Sequence, residues 1–262
     1  TLSLNTIRGQ SMHAVVRYAL WSKRNLKDSY KNMDNIPEVR RVLGEHLNIR
    51  LEPSLAIRAV YGQWFPWLAL LDEAWARENV TNIFPDKSKH ELLYTAAWNA
   101  YIRFCEPYDQ VFAILEEQYK NALQSLNNKE INDPLPGDWR EQYVGHILTF
   151  YWRGIITMDD KSLLSEFWKT APNEFKQHAI EFIGRSLGNT QGEAPKRVLD
   201  RLTDLWNNRL NHAKGAKTYD ELIPFGWWFG SGKFERSWAL SQLHEVLTLS
   251  KKIDPEHMVV EE

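Results

Sequence analysis

Apolar residues return every three or four positions along most of this 262-residue chain. Leu92, Leu93, Ala96, Ala97, Ala100, Tyr101 and Phe104 form one such stripe, and Val111, Leu115, Tyr119, Ala122 and Leu126 form the next. Val144, Ile147, Leu148, Tyr151, Trp152 and Ile155 follow, then Phe175, Ala179, Phe182, Ile183 and Leu187. Val198, Leu202, Leu205, Trp206 and Leu210 make a fifth stripe, and Trp238, Gln242, Leu243, Val246, Leu247 and Ser250 a sixth. A period of about 3.6 residues puts each set on one face of an α-helix, which then needs a neighbour to cover it. Pro37, Pro53, Pro107, Pro172 and Pro195 stand at or just before the starts, where the missing N–H costs nothing. No β-branched/polar alternation runs over five or more positions, and no βαβ pattern appears, which argues against a dinucleotide-type α/β fold.

The pattern predicts an all-α fold of about eleven helices, arranged as antiparallel pairs in an irregular α-solenoid of the HEAT type. No tetratricopeptide or ankyrin consensus is present. The stretch Asn127–Asp138, rich in Asn, Asp, Pro and Gly, is the best internal boundary. It separates an N-terminal helical half, 1–130, from a C-terminal half, 131–262, continuous with the first. The chain opens on Thr1 and closes on Asp254-Pro255-Glu256-His257-Met258, which reads as a helix start. The expectation is a piece of a longer polypeptide.

Composition narrows the function classes. The apolar share is 43%, the charged share 25% and the formal charge −2, values of a folded globular chain rather than a disordered one. Near-neutral charge argues mildly against a dedicated nucleic-acid binder. Residues 1–60 are the exception, with ten Lys/Arg against five Asp/Glu. Cys105 is the single cysteine, so an internal disulfide or a Cys-based zinc site is impossible, and a reducing cytoplasmic setting fits. No apolar run reaches the length of a membrane span, and no signal peptide opens the chain.

Each motif with catalytic overtones fails at a named position. Gly230-Ser231-Gly232-Lys233 ends like a phosphate loop, but the first glycine of that loop would be Trp227, and the magnesium-binding hydroxyl would be Phe234. A tight turn with glycine at positive φ is the plainer reading. His90-Glu91 and His244-Glu245 lack the second histidine of a zinc helix, since Tyr94 and Thr248 occupy its place. Cys105 lies near a helix end beside Glu106, and a negative neighbour raises a thiol pKa. Asp159-Asp160 before Lys161-Ser162-Leu163 resembles a helix cap. No enzyme activity, metal or cofactor is expected.

Two stretches suggest recognition. Phe225-Gly226-Trp227-Trp228-Phe229 packs four aromatics into five positions, which cannot all face one side of a helix. Either they are covered all round, or some join Lys233 and Arg236 in a contact surface, so Trp227, Trp228, Lys233 and Arg236 are the candidate binding residues. The N-terminal stretch carries Arg8, Arg17, Lys23, Arg24, Lys27 and Lys31 with Tyr18 and Trp21. It is a solvated helix face, a seam to a preceding domain, or a surface for phosphates and stacked bases.

Several strings together resemble a known set. They are Arg8-Gly9-Gln10-Ser11-Met12-His13 through Trp21, Glu52-Pro53-Ser54-Leu55, Tyr61-Gly62-Gln63-Trp64-Phe65-Pro66-Trp67-Leu68, Ala96-Ala97-Trp98-Asn99-Ala100-Tyr101, Pro107-Tyr108-Asp109 and Phe225 through Phe234. The set is similar to helical-repeat regions near the C-terminus of large bacterial proteins with signalling-NTPase or sirtuin-like N-terminal domains, some of which defend against phage. The resemblance implies a sensor or scaffold arm, with any enzyme activity in another domain. The leading expectation is therefore a helical module that binds a protein partner or neighbouring domains of its own parent chain. The alternative is a nucleic-acid-binding HEAT-like arm, in which the basic residues of 8–31 join Arg197, Arg201 and Arg209 on one face.

Overall fold

A computed structural model describes residues 2–127 and 138–250. The expected boundary at 130/131 and the expected helix start at 254–258 lie outside the described residues. Among those described there is no strand. They form α1 (Leu2–Asn5), α2 (Ile7–Leu26), α3 (Pro37–Glu45), α4 (Leu55–Leu71), α5 (Glu73–Ile83), α6 (Lys87–Phe104), α7 (Asp109–Gln124), α8 (Trp139–Arg153), α9 (Leu163–Thr170), α10 (Asn173–Asn189), α11 (Lys196–Ala216), α12 (Phe225–Gly230) and α13 (Arg236–Ser250). Thirteen helices, against about eleven expected, reflect short pieces such as α1 and α12 that carry no full period. The chain divides into two compact units, Thr1–Asn121 with Asn132–Trp139, and Ala122–Ile131 with Arg140–Glu262.

Local chemistry sets the helix ends. Thr6, Ser54, Asp72, Asp86 and Ser162 each accept a backbone N–H of the first turn, satisfying a donor the helix leaves open. Pro37 opens α3, and Pro172 and Pro195 stand at the N-caps of α10 and α11. The cap of α9 is Ser162 rather than the Asp159-Asp160 pair, because Asp160 turns outward to Lys169, 2.7 Å away. Gly154, at φ +87°, stops α8 before Ile155, which is exposed instead of continuing its stripe.

In the first unit α4 is the hub, packed on α6 most extensively and on α2, α5 and α1. Gly62 permits the close approach of α4 and α6: an added Cβ would lie 2.0 Å from the carbonyl oxygen of Ala97. Around it Phe65, Phe84, Tyr94, Trp98, Tyr101 and Tyr119 build a buried aromatic core, with Phe65 and Phe84 edge-on at 5.4 Å and Trp98 and Tyr119 at 5.3 Å. The core face of α6 runs through Leu93, Tyr94, Ala97, Trp98 and Tyr101, whereas Leu92 and Phe104 of the expected stripe are exposed. His90 leaves helical geometry (φ −138°, ψ 47°), and the larger rings take the interior beyond that break.

Buried polar groups tie the elements. Asp72 caps α5 and also accepts from the Met33 N–H (3.2 Å) and Arg40 (3.3 Å). Buried Arg58 donates to the carbonyls of Asn82, in the last turn of α5, and Leu47, just past the end of α3. Trp64 donates its indole N–H to His13 Nδ1 at 2.6 Å, joining α4 to α2. In the second unit α8 is buried almost all round from Tyr143 to Tyr151. Arg209 of α11 is also interior. It donates to Glu221 (2.7 Å), lies 3.1 Å from His212 Nδ1, and stacks over Trp168 at 4.6 Å.

Candidate functional site

The aromatic run of α12 is divided between core and surface. Phe225 and Trp228 are fully buried. Trp206 and Phe225 meet at 4.1 Å between centroids, Trp206 and Trp228 at 5.7 Å, and Trp228 stacks on Phe234 at 5.4 Å. The Trp228 indole N–H donates to the Ile180 carbonyl of α10 (2.7 Å), and that of Trp206 to Gln242 of α13 (2.9 Å). Trp228 therefore ties α12 to α10, to α11 and to the turn before α13, and presents nothing to a partner, a correction to its expected place in a contact surface.

Trp227 is half-buried. Its Cβ sits against Gly184, where an added methyl carbon would be 2.5 Å away, and the Arg185 guanidinium covers its ring at 3.9 Å. Lys233 donates to the Thr190 and Gly192 carbonyls at 2.9 and 2.6 Å, so its ammonium closes the end of α10. Arg236, the first residue of α13, is exposed. Gly232 has φ +65°, as a tight turn between α12 and α13 requires. Of the four candidate residues only Arg236 stands free in solvent.

A second cluster, not foreseen, surrounds Glu52. This buried carboxylate accepts from the Arg8 guanidinium and lies 2.9 Å from His46 Nδ1. A groove of about 190 Å³ runs beside it, lined by Ile7, Met12, Val15, Val42 and Ile57 with Arg8, Ser11 and His46. Ser, His and Glu together suggest a hydrolytic triad, but the Ser11 hydroxyl donates to the Ile7 carbonyl one turn back in its own helix (2.9 Å). The large pKa shifts lie elsewhere and come from burial. The Cys105 thiol is pushed up to about 12 by burial and by Glu106, and it donates to the Gln63 carbonyl (3.1 Å). The phenols of Tyr61, Tyr94 and Tyr101 are raised mainly by burial too. These shifts hold the neutral, unreactive form.

A further apolar cleft, of about 150 Å³, lies in the first unit. Pro66, Trp67, Ala69 and Leu70 of α4, Glu73 of α5, and Tyr108, Gln110, Val111 and Ile114 at the start of α7 line it. The cleft exists because α6 ends at the extended Cys105, and the chain returns through Pro107 to lay Tyr108 beside α4. Trp67, Leu70 and Tyr108 keep 42%, 53% and 45% of their surface in solvent. A cavity of about 150 Å³ takes one benzene-sized ring. That fits a single anchoring side chain and falls short of the roughly 300–1,000 Å³ of small-molecule sites. The sequence did carry a signal: Trp64, Phe65 and Trp67 within four positions cannot share one buried face.

No protein-family model matches the chain, and no curated protein and no solved structure is significantly similar to it. Among the described residues no group of three or more His, Cys, Asp or Glu is placed to hold a metal, and no helix is long and apolar enough to cross a membrane. The extended basic face expected for a nucleic-acid-binding arm loses two members. Arg209 is buried on Glu221, and Arg201 donates to the Tyr151 and Ile156 carbonyls, each at 2.8 Å.

Proposed function

We propose that this chain is a non-catalytic helical scaffold or sensor module of a larger bacterial protein, cytoplasmic, and that a protein partner anchors an apolar side chain in the Trp67–Leu70–Tyr108 cleft. The exposed cleft carries the reading. Covering three large half-exposed side chains is favourable at about 25 cal/mol per Å² of apolar surface, and Trp and Tyr are the residues most enriched at binding hot spots. Serial helices with close pairs such as α4 on α6 support the finer view of an irregular solenoid, a shape that offers a long face to partners. The resemblance to helical-repeat regions of bacterial signalling and anti-phage proteins supports the same role.

The test is a display library of short peptides panned on the protein, with Trp67→Ala and Tyr108→Ala proteins as counter-targets. Enriched peptides should share an aromatic or leucine anchor. By calorimetry they should bind Trp67→Ala at least about tenfold more weakly, a loss of about 1.4 kcal/mol. Peptides that bind the variants as tightly as the parent would remove the cleft from the proposal.

A further inference from the structure

The outer face of α2 carries positive charge and stacked rings with little to balance them. Up to residue 27 the chain has five Lys/Arg and no Asp or Glu; Asp28 is the first carboxylate. The inner face of α2 is spent on the core through Met12, His13, Val16, Ala19 and Ser22. On the opposite side Arg17, Trp21 and Arg24 follow at intervals of four and three residues, one stripe along the helix. Tyr18 adjoins it, its ring 6.0 Å from that of Trp21 and tilted by only 23°. Both rings are open, at 46% and 55% exposure. Arg8 is occupied by Glu52, and Lys23 by the Leu70 carbonyl and the Tyr30 ring. Among the described residues the side chains of Arg17, Arg24 and Lys27 form no hydrogen bond or ion pair. Among the described residues Glu38 is the one carboxylate bonded to this face, and it accepts from the Tyr18 hydroxyl at 2.9 Å and so steadies the ring.

We infer that this face of α2 binds single-stranded nucleic acid, with Trp21 and Tyr18 as the stacking platform and Arg17, Arg24 and, just past the end of the helix, Lys27 as the phosphate contacts. Near-parallel exposed rings between unpaired cations match unpaired bases on a phosphate backbone. An acidic peptide supplies charge without planar faces for the rings. A membrane-lying helix needs its apolar face free, and that of α2 is buried in the core. A duplex keeps its base faces inside the stack. The inference is independent of the cleft proposed for a protein partner.

The test is fluorescence anisotropy of the whole protein with a fluorescein-labelled oligothymidylate, at low salt and then through a potassium chloride titration. Three phosphate contacts at about 0.7 each give an expected slope of log K against log salt of about −2. Trp21→Ala should weaken binding about tenfold or more while Trp21→Phe retains most of it. Arg17→Ala with Arg24→Ala should bring the slope to about −0.7. These positions are exposed, so circular dichroism should be unchanged. Absence of binding at low salt overturns the inference. So does equal affinity for duplex DNA, polyglutamate or phosphatidylserine vesicles with no effect of Trp21→Ala, since charge alone would then be the cause.

Discussion

Replacing Gly62 by alanine probes the close contact of α4 with α6 in the first unit. The new Cβ would stand 2.0 Å from the Ala97 carbonyl oxygen, 2.7 Å from its carbon and 2.9 Å from its Cα. Ordinary contact begins at 3.4 Å, so the shortfall is 3.4 − 2.0 = 1.4 Å, and the obstructing atoms are backbone. Helices α4 and α6 must part by about an ångström, loosening Phe65 and Tyr101 at the centre of the aromatic core. Overpacking of this kind costs about 3 kcal/mol or more at its upper end, and the better helix propensity of alanine returns about 1. The net expectation is a loss of about 2 kcal/mol, a fall of about 1 M in the urea midpoint at a slope of about 2 kcal/mol per M. Gly44 is the control, because nothing lies within 4 Å of a Cβ there. Gly44→Ala should be neutral or stabilising by up to about 1 kcal/mol. The assay is urea unfolding followed by circular dichroism at 222 nm. A Gly62→Ala protein as stable as the parent, or one no weaker than Gly44→Ala, refutes the contact argument.

Three further outcomes follow from buried groups. Glu221→Gln strands the buried Arg209 charge and should cost about 3–5 kcal/mol, whereas Arg209→Met with Glu221→Leu should recover most of it; a double variant as unstable as the single would show that charge burial is not the cause. His13 is held below its usual pKa by burial and by Arg17, so its folded form resists a proton that the unfolded chain accepts below about pH 6.5. Stability should be flat above that pH and fall as pH drops through the window between the two pKa values, by at most about 1.4 kcal/mol per unit; His13→Gln should remove this component from urea midpoints measured against pH. Cys105, with its thiol raised to about 12, should resist alkylation by iodoacetamide at pH 8 until urea opens the α4–α6 seam, and labelling at the rate of a free thiol would contradict that seal.

Much of the core was legible, because helical period and burial share one cause. Val111, Leu115, Tyr119, Ala122 and Leu126 are all buried, as are Leu202, Leu205, Trp206 and Leu210. Phase was harder to read. On α6 both Leu92 and Trp98 suit an apolar face, and the kink at His90 together with aromatic volume placed Trp98 inside and Leu92 outside. The candidate site was least legible. Four aromatics in five positions showed that α12 was unusual, but pairing with α10 and α13 decided that Trp228 is core, Trp227 a half-covered edge and Lys233 a carbonyl cap.

The sequence by itself determined that the described chain is helical, where most helices begin, and that no familiar phosphate-loop or zinc-helix motif is complete. These are local properties, set by residue period, caps and spacing. Tertiary structure alone decided which aromatics remain in water and which arginines remain free. Trp67 and Tyr108 are 41 positions apart and form one cleft only because α7 returns beside α4. Arg209 and Arg17 look alike in the sequence, yet one is buried on Glu221 and the other stands exposed on the outer side of α2. Exposure depends on what a distant segment covers, and residue spacing along the chain does not encode it.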